Sequence, residues 1–369
     1  MNKWSRFSSV YLMPAAVFQT VIIGGGYGTG REVVEYVTKH GAWGGLIATA
    51  VIAIIFAAVL STSFIFAQKF KAYNYRSFLK TLLGPFWIIY EVLFLLLLIL
   101  VLAIVSSAIS SIFSARFDTS PIIAIITLMS LVTFLNYYGR EFVEKLLSLS
   151  TIILMASLSA LTILTIVRFS DDILGNFLGA TDIAAAVQSG AQFAIYNSAL
   201  IPVLIYCASK AETSKEAMKG GLIAGLFGAI PALMLHVTFL PHLPEIMTQQ
   251  IPTYYLLEKI GLNWTITAYF LILTGTIVLT AVGVLQGVNE RIDSWKEDSN
   301  SGTPLKSWQR ALVAATLTLI SVFLAKFGIV ALIAEGYGAL SWGFLLAFTI
   351  PLLTVGIVKI RQKGKTNEA

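Results

Sequence analysis

Long apolar runs alternate along the chain with short charged punctuation. Ten stretches contain no Asp, Glu, Lys or Arg: Phe7–Gly30, His40–Gln68, Val92–Ala115, Thr119–Gly139, Leu146–Val167, Ile183–Ser209, Gly220–Pro244, Ile260–Asn289, Ala311–Ala325 and Gly336–Val358. A helix crosses the hydrocarbon of a bilayer with about 20 apolar residues. Nine of the stretches reach that length, and Ala311–Ala325 does so by running past Lys326, whose amine can snorkel to an interface. The pattern therefore predicts an all-α polytopic membrane protein with ten transmembrane helices.

The charges between the runs test that count. With the N-terminus inside and the spans alternating, 19 Lys and Arg residues fall on the cytoplasmic side and 6 on the outer side, the latter being Arg31, Lys39, Arg116, Arg168, Lys259 and Lys326. This is the asymmetry of the positive-inside rule, and one span more or fewer would scramble it. Both termini are thus expected in the cytoplasm and the chain in the cell membrane. Lys3 and Arg6 before an apolar run imitate a signal peptide, but no small-x-small cleavage site follows, so this run is read as an uncleaved first span. Trp4, Trp43, Trp87, Trp264, Trp308 and Trp342 lie mostly near span ends, where an aromatic belt sits.

Composition agrees. The chain has 369 residues, of which 57% are hydrophobic and 12% charged, against about 45–50% and 25% in soluble domains. That excludes a disordered chain, an ordinary soluble enzyme and a nucleic-acid binder. One Cys excludes internal disulfides and thiolate metal clusters, and 3 His leave no His-rich metal centre.

Two runs are interrupted. In the first, Ile23 is followed by Gly24-Gly25-Gly26-Tyr27-Gly28-Thr29-Gly30. Each glycine costs a helix about 1 kcal/mol relative to alanine, so a break is expected there, at a depth where bare backbone must be satisfied by protein or a polar cavity. In the sixth, Tyr196-Asn197-Ser198 precedes Pro202, whose ring removes a helical hydrogen bond. The two are linked by a weak repeat: Gly44-Gly45-Leu46-Ile47-Ala48-Thr49 recurs as Gly220-Gly221-Leu222-Ile223-Ala224-Gly225, five of six residues at an offset of 176. The same offset carries Gly24–Gly26 onto 200–202. Ten spans then divide into a first repeat, residues 1–182, and a second, residues 183–358, with a basic tail at 359–369. Five spans per half makes the repeat inverted, and paired interrupted helices in inverted repeats point to a transporter's binding site.

At these residues the chain resembles the LeuT-fold transporters of the amino acid–polyamine–organocation superfamily, and most closely the YkvI-like membrane protein family. Ile22-Ile23-Gly24-Gly25-Gly26-Tyr27-Gly28 looks like that superfamily's glycine-rich break, with a third glycine where Ser is commoner. The resemblance implies a secondary transporter of a small amino acid or related zwitterion, working by alternating access with sodium or a proton as coupling ion. It places substrate at Gly24, Gly25, Gly26, Tyr27, Gly28, Tyr196, Asn197 and Ser198. It implies an ion site from Ile23 with Thr276 and Thr280, and an outer gate of Arg31 with Glu335. No other metal or cofactor is implied. The expected partners are the small-molecule substrate and the bilayer, with no nucleic acid, and the chain is expected as a monomer or weak homo-oligomer.

The residues themselves leave plainer readings open. Gly24…Gly28 and Gly26…Gly30 are small-xxx-small pairs that would serve helix packing. Thr276 and Thr280 would bond their own i−4 carbonyls. Glu91, early in the third span, is either a functional carboxylate or an interfacial anchor, and His236 is read as a polar anchor. Gly25-x4-Gly30-Arg31-Glu32 lacks the Lys-Ser/Thr of a phosphate loop. No His-Glu-x-x-His or Gly-x-Ser-x-Gly supports an enzyme. The remaining alternative to transport is a receptor on the same fold that binds ligand without flux.

Overall fold

The computed structural model describes residues 3–23, 25–117, 120–137, 140–261, 263–298 and 305–366. Among them every regular element is helical. The helices that carry the architecture are Met13–Ile22, Gly41–Phe70, Trp87–Phe117, Pro121–Tyr137, Arg140–Arg168, Ile183–Ser198, Ser214–Phe239, Asn263–Asp298 and Ser307–Ala325, followed by a helical run from Gly328 that includes three π-helical turns. Their ends follow the local chemistry. The Asn74 side chain accepts from the Ser77 N–H to start Tyr75–Leu83, and Asp182 accepts from Ala185 to start Ile183–Ser198. Gly261 ends Pro252–Ile260 in the left-handed conformation.

Each expected span has a helical counterpart. Six helical stretches are long and apolar enough to cross a membrane unaided, and two more pass only as bent pairs, among the described residues. One bent pair is Ile183–Ser198 with Ile201–Lys210, turned through 68°; the other is Ile152–Arg168 with Ser170–Leu178, turned through 85°. The first expected span is missing from this count because the chain breaks at Ile23, and the fourth because its helix, Pro121–Tyr137, has 17 residues.

Glycines set the tightest packing. A Cβ at Gly225 would lie 2.3 Å from the Ala57 nitrogen, one at Gly221 2.5 Å from the Ser61 nitrogen, and one at Gly45 2.0 Å from the His236 ring. These contacts run in opposite directions along Gly41–Phe70 and Ser214–Phe239, which therefore lie antiparallel and nearly backbone to backbone. They are the two helices that carry the repeated Gly-Gly-Leu-Ile-Ala sequence. Around this pair the interior is aromatic, with Phe18, Phe56 and Phe193 fully buried. The outer faces are apolar as well: Ile54, Leu271, Leu319 and Leu346 are all exposed. In water such a surface would aggregate; in a bilayer it meets acyl chains.

Polar contacts gather at the two ends of the bundle. At one end Arg6 pairs with Glu212 and Glu216, Lys69 donates to the Ile360 carbonyl, Lys359 to the Thr81 carbonyl, and Arg291 pairs with Glu91. At the other Arg31 pairs with Glu35, Arg168 donates to the Ile260 carbonyl, and Asn176 to the Leu240 carbonyl. Each contact joins two residues that the charge pattern assigns to the same side.

Candidate functional site

The first helix stops at Ile23, whose backbone leaves the helical region (φ −79°, ψ 79°) while its N–H still bonds the Gln19 carbonyl. Gly24 lies outside the described residues. The break expected over Gly24–Gly30 is not continuous: Gly25–Thr29 forms one helical turn, and the second discontinuity is at Gly30, in the left-handed region at φ 76°. A Cβ at Gly30 would also lie 2.4 Å from Phe239. Glycine is therefore required at Gly30 on two counts, conformation and space. Helix then resumes as Arg31–Tyr36, so the polar residues after the glycines are buried and do not begin a loop.

The carbonyls freed by this geometry are capped from other elements. Tyr269, on Asn263–Asp298, donates to the Gly28 carbonyl at 2.7 Å, and Thr253, on Pro252–Ile260, donates to the same carbonyl at 3.0 Å and to that of Thr29 at 3.1 Å. This is how bare main chain survives at membrane depth. A small apolar cavity with room for about one water molecule lies beside the break, lined by Ile23, Tyr27, Gly28, Leu158, Pro231 and Tyr269 among others.

The sixth helix breaks after Ser198, and the chain continues as the 3-10 helix Ile201–Lys210 with Pro202 in its first turn. Tyr90, from Trp87–Phe117, donates to the Ala199 carbonyl inside this break. Tyr196, Asn197 and Ser198 are all buried. Asn197 Nδ2 donates to the Phe193 carbonyl at 3.0 Å, whereas the Ser198 hydroxyl and the Tyr27 hydroxyl are buried with no partner among the described residues. The two breaks face one another. The Tyr27 ring meets Phe193 edge-on at 5.7 Å, and the Tyr196 hydroxyl donates to Glu32 Oε2 at 2.7 Å.

The expected ion-site hydroxyls adopt the plainer arrangement. Thr276 donates to the Ile272 carbonyl and Thr280 to that of Thr276, each four residues back. Arg31 is nearly fully buried, and its guanidinium donates to Glu35 at 2.8 Å, to the Met247 carbonyl at 2.6 Å and to that of Gln249 at 3.2 Å. Glu335 is exposed. Arg31 thus ties the first helix to the 245–249 segment, and the structure brings it to Glu35 rather than to Glu335. Glu91 is fully engaged: Oε1 meets Arg291 Nε at 2.9 Å and Oε2 accepts from the Tyr75 hydroxyl at 2.6 Å. The Arg291 guanidinium also lies over the rings of Tyr75 and Phe94. His236 is held between Thr38 and the Ala42 carbonyl.

Four residues at the site were not predicted: Glu32, Tyr337, Tyr269 and Thr253. Tyr337 stacks on Tyr196 with ring centroids 4.2 Å apart, and Glu32 is 5% exposed. A signal for Glu32 existed, since a carboxylate within a span marks function. It was hidden by ending the first span at Gly30.

No protein-family model matches the sequence, and no curated protein matches it. Solved structures do. MhsT in complex with L-phenylalanine matches with a TM-score of 0.58 at 15% identity, covering 95% of this chain and 97% of that one. A Na+-coupled sialic acid symporter, solved substrate-bound and outward-open, matches with a TM-score of 0.51 at 12% identity, covering 93% and 85%. The likeness runs over nearly the whole chain and is one of fold: these helices take the LeuT-type arrangement.

Proposed function

We propose that this chain is a secondary active transporter that moves a small amino acid or related zwitterion by alternating access, with sodium or a proton as coupling ion. The observation that carries the reading is the pair of facing breaks, one after Ile23 and one after Ser198, in a LeuT-type fold. Each break ends one half-helix and starts another, so although the Gly28, Thr29 and Ala199 carbonyls are capped by Tyr269, Thr253 and Tyr90, the helix ends set partial negative and partial positive charge near one another. A zwitterion matches both ends. The unpartnered hydroxyls of Tyr27 and Ser198 add two side-chain donors beside them.

Support for the amino acid class comes from the resemblance of Ile22–Gly28 to the glycine-rich breaks of the superfamily and from MhsT, which holds L-phenylalanine on this fold. The residue likeness to the YkvI-like proteins belongs to this proposal too. Substrate is assigned to the segment from Gly24 to Gly28 and to Tyr196, Asn197 and Ser198. Coupling sodium would take the Ile23 carbonyl with Thr276 and Thr280. In the inverted-repeat reading the antiparallel Gly41–Phe70 and Ser214–Phe239 pair is the contact between equivalent helices of the two halves.

The test is a thermal-shift screen of the purified protein against the common amino acids, simple amines and organic acids, each with and without sodium. At least one zwitterionic amino acid should raise the melting temperature, since a ligand at 100 times its Kd stabilises by about 2.7 kcal/mol. A response confined to amines or to organic acids would overturn the substrate class.

A further inference from the structure

We propose that Glu32 is a proton-binding site between the two broken helices, protonated when they close on one another and ionised when they part. The proposal rests on the transporter reading only for the use made of the proton; the binding itself follows from the surroundings of the carboxyl group.

Glu32 is 5% exposed, yet among the described residues no Lys, Arg or His pairs with it. Its immediate neighbour Arg31 is committed to Glu35 and to the Met247 and Gln249 carbonyls, and Lys39 is committed to Glu35. The partner of Glu32 belongs to an aromatic cluster. Tyr196, from the opposite break, bonds Glu32 and packs in turn on Phe193, on Tyr36 and on Tyr337 from the helical run after Gly328. Among the described residues, Tyr196 donates the one hydrogen bond given by a side chain of another element. The Tyr36 hydroxyl is spent on the Ile333 carbonyl. The Tyr27 hydroxyl is buried with no partner among the described residues.

The other titratable groups on the packed elements are accounted for. Glu35 is held by Arg31 and Lys39, His236 by Thr38 and the Ala42 carbonyl, and Glu335 is exposed. Glu245 and His40 flank the segment at its outer end, and Glu245 is exposed. None supplies a cation to Glu32. An ionised carboxylate in such a place, with the Tyr196 hydroxyl as donor and no cation paired with it among the described residues, is unfavourable and is relieved by neutralisation. The neutralising species must fit. The Tyr196 and Tyr337 rings stack at 4.2 Å, and Tyr36 meets Tyr196 at 5.7 Å and Phe193 at 6.0 Å. With rings stacked this closely on the one that bonds the carboxyl, a proton, the smallest neutralising species, is favoured over an ammonium group or a metal ion. It adds to one carboxylate oxygen from the aqueous medium while the helices are apart and returns there when they part again. Only an O–H bond is made and broken.

The experiment uses the full chain in lipid nanodiscs, in potassium buffer without sodium. Infrared difference spectra are recorded between about pH 5 and pH 9, above the range in which exposed carboxyls titrate. The wild type should show a carboxylic-acid carbonyl band at the acid end that bleaches at the alkaline end. Glu32→Gln should lose that band and Glu35→Gln should keep it. Tyr196→Phe, which removes the donor to the ionised form, should keep the band but require a medium about one pH unit more alkaline to bleach it, a tenfold change in proton affinity. Persistence of the band in Glu32→Gln would overturn the proposal, as would its absence from the wild type, or its bleaching by sodium at fixed pH as fully as by alkali. If Glu32→Gln fails to fold, an unmoved midpoint in Tyr196→Phe overturns it instead. Because the spectra need no substrate, a chain that titrates in this way but carries nothing would remove the transporter reading and leave the proton site standing.

Discussion

At Gly225 there is no room for a methyl group. A Cβ would sit 2.3 Å from the nitrogen of Ala57 and 2.5 Å from its Cα, and backbone cannot swing aside as a side chain does. Gly225→Ala should therefore force Gly41–Phe70 and Ser214–Phe239 apart and cost about 1–3 kcal/mol, the usual range for overpacking. Gly275, with nothing within 4 Å of its Cβ position, is the matched control. Melting in detergent checks the pair: Gly225→Ala should lower the midpoint by several degrees, and Gly275→Ala should not lower it, since alanine favours helix where there is room. An equal fall in both would mean that contact at Gly225 does not set the response. The same scale shows what a sequence reveals of a site. Gly24–Gly30 and Tyr196–Ser198 announced themselves because glycine runs and polar triplets are rare in apolar stretches. Glu32 did not, because its meaning lies in what surrounds it. Tyr196 is 164 positions away and Tyr337 further still, and no local pattern joins them. Arg31 was legible as a cation beside the glycine run, but its partner was not: Glu35, one helical turn on, and two carbonyls of the 245–249 segment reach it, not Glu335.

At the scale of the element, the breaks were legible in place and not in form. Five glycines in seven residues lower the cost of leaving the helix without saying where the chain leaves it. The structure puts the turns at Ile23 and Gly30 and keeps Gly25–Thr29 wound between them, with Thr253 and Tyr269 capping the carbonyls from elements remote in sequence. Pro202 gave a firmer signal, because a missing N–H and a clash with the preceding turn act locally; the half-helix Ile201–Lys210 starts there. That half-helix carries the buried Cys207 and packs against Tyr75–Leu83. The Tyr75–Leu83 helix is anchored in turn through Tyr75 to Glu91, and Glu91 to Arg291 at the end of Asn263–Asp298. Glu91→Gln should loosen that cover and raise the rate at which a membrane-permeant maleimide labels Cys207. A pair of this kind contributes about 1 kcal/mol, so the increase should be about fivefold. With one cysteine in the chain the labelling is unambiguous. An unchanged rate would mean that the Glu91–Arg291 pair does not hold the half-helix shut.

For the molecule as a whole, the charge pattern did the most. The division of Lys and Arg between two sides anticipates which polar residues meet at each end of the bundle, from Arg6 with Glu212 to Arg168 with the Ile260 carbonyl. The repeat of Gly44–Ala48 at Gly220–Ala224 picked out the helices that come closest together. The closed aromatic cluster was not legible, because it forms only when the first, sixth and last helical segments converge. In a transporter of the proposed kind, that convergence and its reversal move a zwitterion from one side of the bilayer to the other, with the main chain beside Gly26 as part of the cradle. The most direct measurement is counterflow in proteoliposomes, loaded with the unlabelled amino acid that stabilises the purified protein and supplied outside with the same compound in labelled form. The wild type should accumulate label and then release it, and Gly26→Val, inserted to the same level, should do neither. Binding of the amino acid with no counterflow in the wild type would contradict transport by alternating access and mark the chain as a receptor.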